Sequence, residues 1–147
     1  LVGTEDGMKF IPQRAFLDSC PFGLPPDSME ITLDLPFPPS TNRLYGKSAS
    51  AVYRTPIYEQ WIKLSDAWIL FKRQYPKTRI DGPFAIEILL GDGQRGDGDN
   101  RIKAVLDYLQ SREIIKNDKD CRKGSWAWVP QSQAPIGCRI HLRSLYP

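Results

Sequence analysis

Phe84-Ala85-Ile86-Glu87-Ile88-Leu89-Leu90 is apolar at every position but Glu87, and the glycine-rich stretch Gly91-Asp92-Gly93-Gln94-Arg95-Gly96-Asp97-Gly98-Asp99 follows it directly. Ile102, Val105, Leu106 and Leu109 then recur at the i, i+3, i+4, i+7 spacing of an amphipathic helix. A short apolar run, a glycine loop and a helical period predict strand, loop and helix in that order. Glu87 marks the less buried face of the strand, and Asp99 or Asn100 is placed to cap the helix. The helix gives out near Ser111–Arg112, and Ile114-Ile115 leads into the polar turn Lys116-Asn117-Asp118-Lys119-Asp120.

Upstream, Ile31-Thr32-Leu33-Asp34-Leu35 alternates apolar and polar as a half-buried strand does, until Pro36, Pro38 and Pro39 stop it. Ser40 to Arg54 reads as a polar loop. Thr55-Pro56 then opens a helix, with Trp61, Leu64, Trp68, Phe71 and Tyr75 as its expected buried stripe and Pro76 as its end. Downstream, Trp126-Ala127-Trp128-Val129 and Gly137 to Leu145 read as two closing strands, joined as a hairpin across Pro130–Pro135. The expected fold is therefore α+β, a single domain of βαβαββ order over residues 30–147, with two helices packed on a mixed β-sheet. Residues 1–29, which hold Pro12, Pro21, Pro25 and Pro26 and keep no period, are expected to form an N-terminal arm or extension.

The net charge of +3 is unevenly spread. Residues 1–30 carry two bases against five acids, while the rest carries 18 bases against 12 acids. A basic body suits a polyanion, and nucleic acid is the commonest one. Three cysteines (Cys20, Cys121, Cys138) without a paired spacing fit free thiols in a reducing compartment better than a disulfide framework or a zinc site. With one histidine, His141, a metal here would sit on carboxylates, which points to magnesium or manganese. No apolar run reaches membrane-spanning length, and the opening residues lack the order of a secretory signal. The expectation is a cytoplasmic protein with no membrane partner.

Asp97 and Asp99 are two apart, so on an extended segment both carboxylates point the same way. Two unit charges ~4 Å apart repel by roughly 4 kcal/mol at an effective dielectric near 20, a cost that a divalent cation between them removes. Asp118, with Asp120 in reserve, is expected to return from the turn after the helix and supply a third carboxylate. Lys103 lies one helical turn after Asp99, positioned to stabilise charge on a bound phosphate, and Asp107 shares its face and can orient it. Duller alternatives stand beside these: a solvated Asp-x-Asp turn, and surface i, i+4 ion pairs. An EF-hand is rejected because Ile102 occupies the position that needs glycine. Arg95-Gly96-Asp97 is read as a chance match to an adhesion tripeptide. Trp61 and Trp68 are expected in the core, as are Trp126 and Trp128.

The run from Asp97 to Leu109, followed by Asn117-Asp118, resembles the signature of the RusA family of Holliday junction resolvases. In that family Asp-x-Asp-Asn is followed by a lysine three residues after the asparagine, an aspartate four residues on, and an Asn-Asp or Asp-Asp pair after the helix. Leu35-Pro36-Phe37-Pro38-Pro39-Ser40-Thr41-Asn42 is similar to the family's strand ending in Pro-Pro-Ser-x-Asn. The resemblance covers about residues 30–145, nearly everything but the arm. The resemblance implies a homodimeric endodeoxyribonuclease, found mainly in phages and prophages, that uses Mg2+ (or Mn2+) to resolve four-way DNA junctions in recombination and repair. It implies Asp97, Asp99 and Asp118 as metal ligands and Lys103 as the essential lysine. Asn42 and Asn100 match positions that are structural or orient substrate. Arg43, Lys47, Arg54, Arg101, Lys116, Lys119, Arg122 and Lys123 are the expected phosphate contacts. A branched-DNA-binding protein without cleavage is the alternative. The glycines at 93, 96 and 98 predict a looser loop than the family pattern does.

Overall fold

The structure, a computed structural model, describes residues 29–94 and 96–145. The expected arm lies, all but Met29, outside the described residues, as do Arg95 and Cys20. Six strands and two α-helices follow in the order β1 (Glu30–Pro36), β2 (Tyr45–Lys47), β3 (Val52–Arg54), α1 (Pro56–Lys72), β4 (Phe84–Gly91), α2 (Ile102–Ser111), β5 (Cys121–Val129) and β6 (Gly137–Ser144). This is an α+β fold with a mixed sheet, as expected, plus one hairpin that was not. β2 and β3 pair antiparallel within the stretch read as a polar loop, and they form a separate two-stranded sheet.

The main sheet has the order β1-β6-β4-β5, with β5 parallel to β4 and the other pairs antiparallel. The expected β5–β6 hairpin is therefore not formed, because the two strands flank β4 on opposite sides. β4 is buried at every position but Glu87, so it takes the centre, where both its edges are paired. The chain leaves β5 across the end of β4, where the Asp92 amide donates to the Val129 carbonyl (2.8 Å) and the Gln131 side-chain amide donates to the Asp92 carbonyl (3.0 Å). The β4–α2–β5 unit is a parallel crossover, which needs a helix to span it.

Alternate positions of β1, β4 and β6 (Leu33, Leu35, Ile86, Ile88, Ile140, Leu142 among them) share one buried cluster with Tyr58, Trp61, Ile62 and Ile69 of α1 and Val105, Tyr108 and Leu109 of α2. Both helices thus cover the same sheet face. The Thr55 hydroxyl caps α1 by accepting from the Tyr58 amide (3.2 Å), with Pro56 in the first turn. The buried stripe differs from the expected one: Leu64, Phe71 and Tyr75 are exposed and Trp68 is half-buried. Two stripes at helical spacing share Trp61, and the aromatic contact to α2 decides between them. Trp61 stacks on Tyr58 (6.1 Å between centroids) and meets Tyr108 edge-on (5.3 Å). α1 also ends at Lys72, before Pro76, because Arg73 turns into the left-handed region (φ 56°).

That early end lets Lys72 and Gln74 reach Asp34 of β1, whose polar side chain is buried (1% exposed) rather than solvated. Arg139, its cross-strand partner on β6, donates to the same carboxylate at 2.7 Å. Burial alone would push the Asp34 carboxyl up. The hydrogen bonds from Arg139, Gln74 and Lys72 outweigh it and hold the group below the usual carboxylate range. Among the described residues no helix is long and apolar enough to cross a membrane.

Candidate active site

The loop between β4 and α2 is held at two points by its glycines. Gly98, the residue between the two acids, is buried, and a Cβ there would collide with the six-membered ring of Trp126. Trp126 lies on β5 opposite Ile88, so the ring of a sheet residue seats the acidic loop from below. Gly96 has φ +99° and lies under the Arg101 guanidinium, which would collide with a Cβ there. The Arg101 Nη1 donates to the Pro38 carbonyl (3.1 Å), and its guanidinium carbon stands 5.0 Å from the Phe37 ring centroid. Gly96 and Gly98 are therefore close-packing positions. Trp126, expected in the core, is 38% exposed and covers Gly98; Trp128 is half-buried and stacks on Phe37 at 5.9 Å.

Asp97 is extended (φ −82°, ψ 136°), whereas Asp99 already belongs to the 3-10 turn Gly98–Arg101 that leads into α2. The same-side rule for an extended pair therefore does not apply to them. Both are exposed. Asp97, at the N-cap of the turn, makes no side-chain capping bond, and neither Asp99 nor Asn100 caps α2, because Arg101 holds the N-cap position. The Asn100 carbonyl instead accepts from the Thr41 hydroxyl (2.8 Å), which ties the loop to the Pro-Pro-Ser-Thr-Asn segment after β1.

Lys103 stands exposed in the first turn of α2, with its ammonium 3.3 Å from the Asp107 carboxylate. Asp107 also accepts a 2.8 Å hydrogen bond from the Tyr45 hydroxyl. Tyr45 belongs to the unexpected hairpin and rests edge-on against Tyr58 at 5.6 Å. Burial, then the Asp107 hydrogen bond and charge, push its phenol above the ordinary range. Asp107 was legible as the partner of Lys103 from helical spacing. Tyr45 was not, because three-residue strands carry no readable period. A groove of about 420 Å³ runs along this face, lined by Tyr45, Val52, Lys103, Asp107, Gln110 and Ser111.

Asp118 opens the 3-10 turn Asp118–Asp120 at the far end of that face, and its amide donates to the Gln110 side-chain carbonyl (2.9 Å). Lys103, Asp107 and Gln110 are spaced i, i+4, i+7, with Asp99 one turn ahead of them. The all-oxygen donor chemistry fits a hard cation. However, among the described residues no three Asp, Glu, His or Cys side chains are gathered closely enough to hold one metal ion.

The expected phosphate contacts fall into three groups. Asn42 and Arg43 lie in the 3-10 turn Thr41–Arg43, beside Asn100 and Arg101. Lys47 and Arg54 are exposed on the hairpin, where Arg54 reaches Glu59 at 4.0 Å. Lys116, Lys119, Arg122 and Lys123 are exposed around the start of β5, and Arg122 donates to the Lys119 carbonyl (2.9 Å). Arg101 has its guanidinium pushed down from its ordinary range by burial and by the nearby Arg43, with Asp97 opposing. No protein-family model matches this chain, and no curated protein matches it.

Proposed function

We propose that this chain is a magnesium-dependent endonuclease of the RusA type, a homodimer that resolves four-way DNA junctions by paired strand cuts in the cytoplasm of a bacterial host. The observation that carries the proposal is Lys103. It stands exposed one turn after Asp99 and is anchored by Asp107, as a lysine that neutralises charge on a phosphate must be. The two motifs that resemble the family are also in contact here, through Thr41 and Asn100.

Magnesium, or manganese in its place, would be held by the carboxylates of Asp97, Asp99 and Asp118 and would supply an activated water, leaving a 5′-phosphate and a 3′-hydroxyl. The assignment of Asp118 rests on motif order. Lys103 faces the phosphate, Asp107 and Tyr45 keep its ammonium in place, and the exposed bases grip the arms of the junction. Paired cuts need two sites related by a two-fold axis, which a symmetric dimer supplies.

The deciding experiment incubates the chain with a four-way DNA junction, a linear duplex and a hairpin RNA, with and without magnesium. Paired nicks in the junction alone, dependent on the ion, are expected. Equal cutting of duplex or RNA would overturn the substrate assignment. Junction binding without product, with magnesium present or absent, would favour the alternative, a branched-DNA-binding protein that does not cut.

A further inference from the structure

The β2–β3 hairpin turns one face to the groove beside Lys103, which Tyr45 and Val52 help to line. Paired residues of antiparallel strands share a face, and neighbours along a strand alternate. Gly46 and its cross-strand partner Tyr53 therefore lie on the other face, turned away from that groove. A Cβ on Gly46 would stand 2.5 Å from the Tyr53 Cζ, and 2.6 and 2.8 Å from its bonded neighbours Oη and Cε2. A point in the plane of the ring, outside it, would be nearer to one of those neighbours than to Cζ. Gly46 thus sits beneath the flat of the ring, as when an aromatic is laid across a strand glycine. The backbone covers one side of the ring, and Tyr53 is still 51% exposed.

An aromatic face laid flat and open to solvent is a surface on which a nucleobase stacks, and the glycine beneath it has already fixed its orientation. The ribbon that carries it has the charge for such a ligand: residues 43–54 hold three bases (Arg43, Lys47 and Arg54) and no acid. We infer that Tyr53 is a stacking platform for a base pair left uncovered where the arms of a branched DNA part. The inference rests on the proposed function and deepens it, by naming what tells a branch from continuous duplex. Within a duplex each base pair is covered on both sides by its neighbours, which leaves the ring nothing to stack on. At a branch a pair can lose one neighbour, and the ring takes that place. The two faces of the ribbon then have separate tasks. Tyr45 holds Asp107 beside Lys103 on the inner one, and Tyr53 meets the branch on the outer one.

The test measures binding, without magnesium, to a four-way junction and to a relaxed, covalently closed circular duplex, in which every base pair is stacked on both sides. Tyr53→Phe keeps the flat ring and should bind both DNAs as the native chain does. Tyr53→Leu keeps an apolar cover over Gly46 but offers no flat face. It should bind the junction roughly tenfold more weakly and the circle unchanged. Tyr53 lies outside the buried core, so neither change disturbs the packing beneath the helices. Native affinity of Tyr53→Leu for the junction, or an equal loss on both DNAs, overturns the inference and leaves the endonuclease proposal standing. Failure of the native chain to bind DNA of any architecture overturns both.

Discussion

The ring of Trp126 packs against Gly98, so a residue of β5 occupies the space that any side chain between Asp97 and Asp99 would need. Gly98→Ala should therefore shift the acidic loop, and a displacement near 1 Å at a reacting centre costs on the order of 100-fold in rate. Trp126→Ala vacates that space, so the double variant should recover part of the loss. Initial cleavage rates of the two single variants and the pair form a cycle. Simple additivity would show that the contact does not govern the loop.

Asp97→Asn, Asp99→Asn, Asp118→Asn and Lys103→Met are each expected to abolish junction cleavage while leaving the fold and junction affinity largely intact. Tyr45→Phe removes only the hydrogen bond to Asp107, and should slow cleavage several-fold at a cost in stability of about 1 kcal/mol or less. Cleavage and gel-shift assays on the same preparations separate these effects. Normal cutting by Asp118→Asn, with loss in Asp120→Asn, would reassign the third acid.

Asp34 holds Lys72, Gln74 and Arg139 together from inside the protein. Asp34→Ala leaves Arg139 and Lys72 facing each other without their carboxylate, which should cost about 3 kcal/mol in urea unfolding. The folded-state carboxyl is held below its unfolded value, so its contribution is fully present above the ordinary carboxylate range. It is lost as pH falls through the folded value. The gap between native and Asp34→Ala stabilities should close on acidification, and a gap that stays constant with pH rules this account out.

Glu87 behaves in the opposite sense. Burial pushes its carboxyl up, and among the described residues its Oε1 has no hydrogen-bond partner. The folded state therefore binds this proton more tightly than the unfolded chain, and stability falls as pH rises from the unfolded value to the folded one. Glu87→Gln should match the native melting temperature near about pH 4 and exceed it near about pH 8. A variant that melts lower at the alkaline end would mean the carboxylate has a partner when ionised.

Lys119, Arg122 and Lys123 crowd one exposed turn and strand start. Junction affinity should fall steeply with salt, and replacing any one of them by alanine should flatten the log–log slope by about 1 while weakening binding of all sequences alike. An unchanged slope for all three would remove this patch from the DNA interface.

β4 and α2 were legible in the sequence because each pattern is long and its partners are nearby. The pairing of β6 with β4 rather than β5 was not, since nothing local distinguishes the two edges of a central strand. The β2–β3 hairpin escaped notice because Tyr45-Gly46-Lys47 and Val52-Tyr53-Arg54 are too short to show alternation. On α1 two apolar stripes competed, and the choice depended on Tyr108, far along the chain. The candidate acids could be named from their spacing. The tie between the Asp118 turn and Gln110 could not, because it joins the two ends of a loop with no period of its own. The close approach of Trp126 to Gly98 was likewise not legible, because it joins residues 28 positions apart.

All four residues assigned to cleavage come from the single β4–α2–β5 crossover, while Tyr45, which holds Asp107 beside Lys103, arrives from the β2–β3 hairpin. Under the proposed function, changes in that hairpin would retune the placing of Lys103 while leaving the four assigned residues as they are.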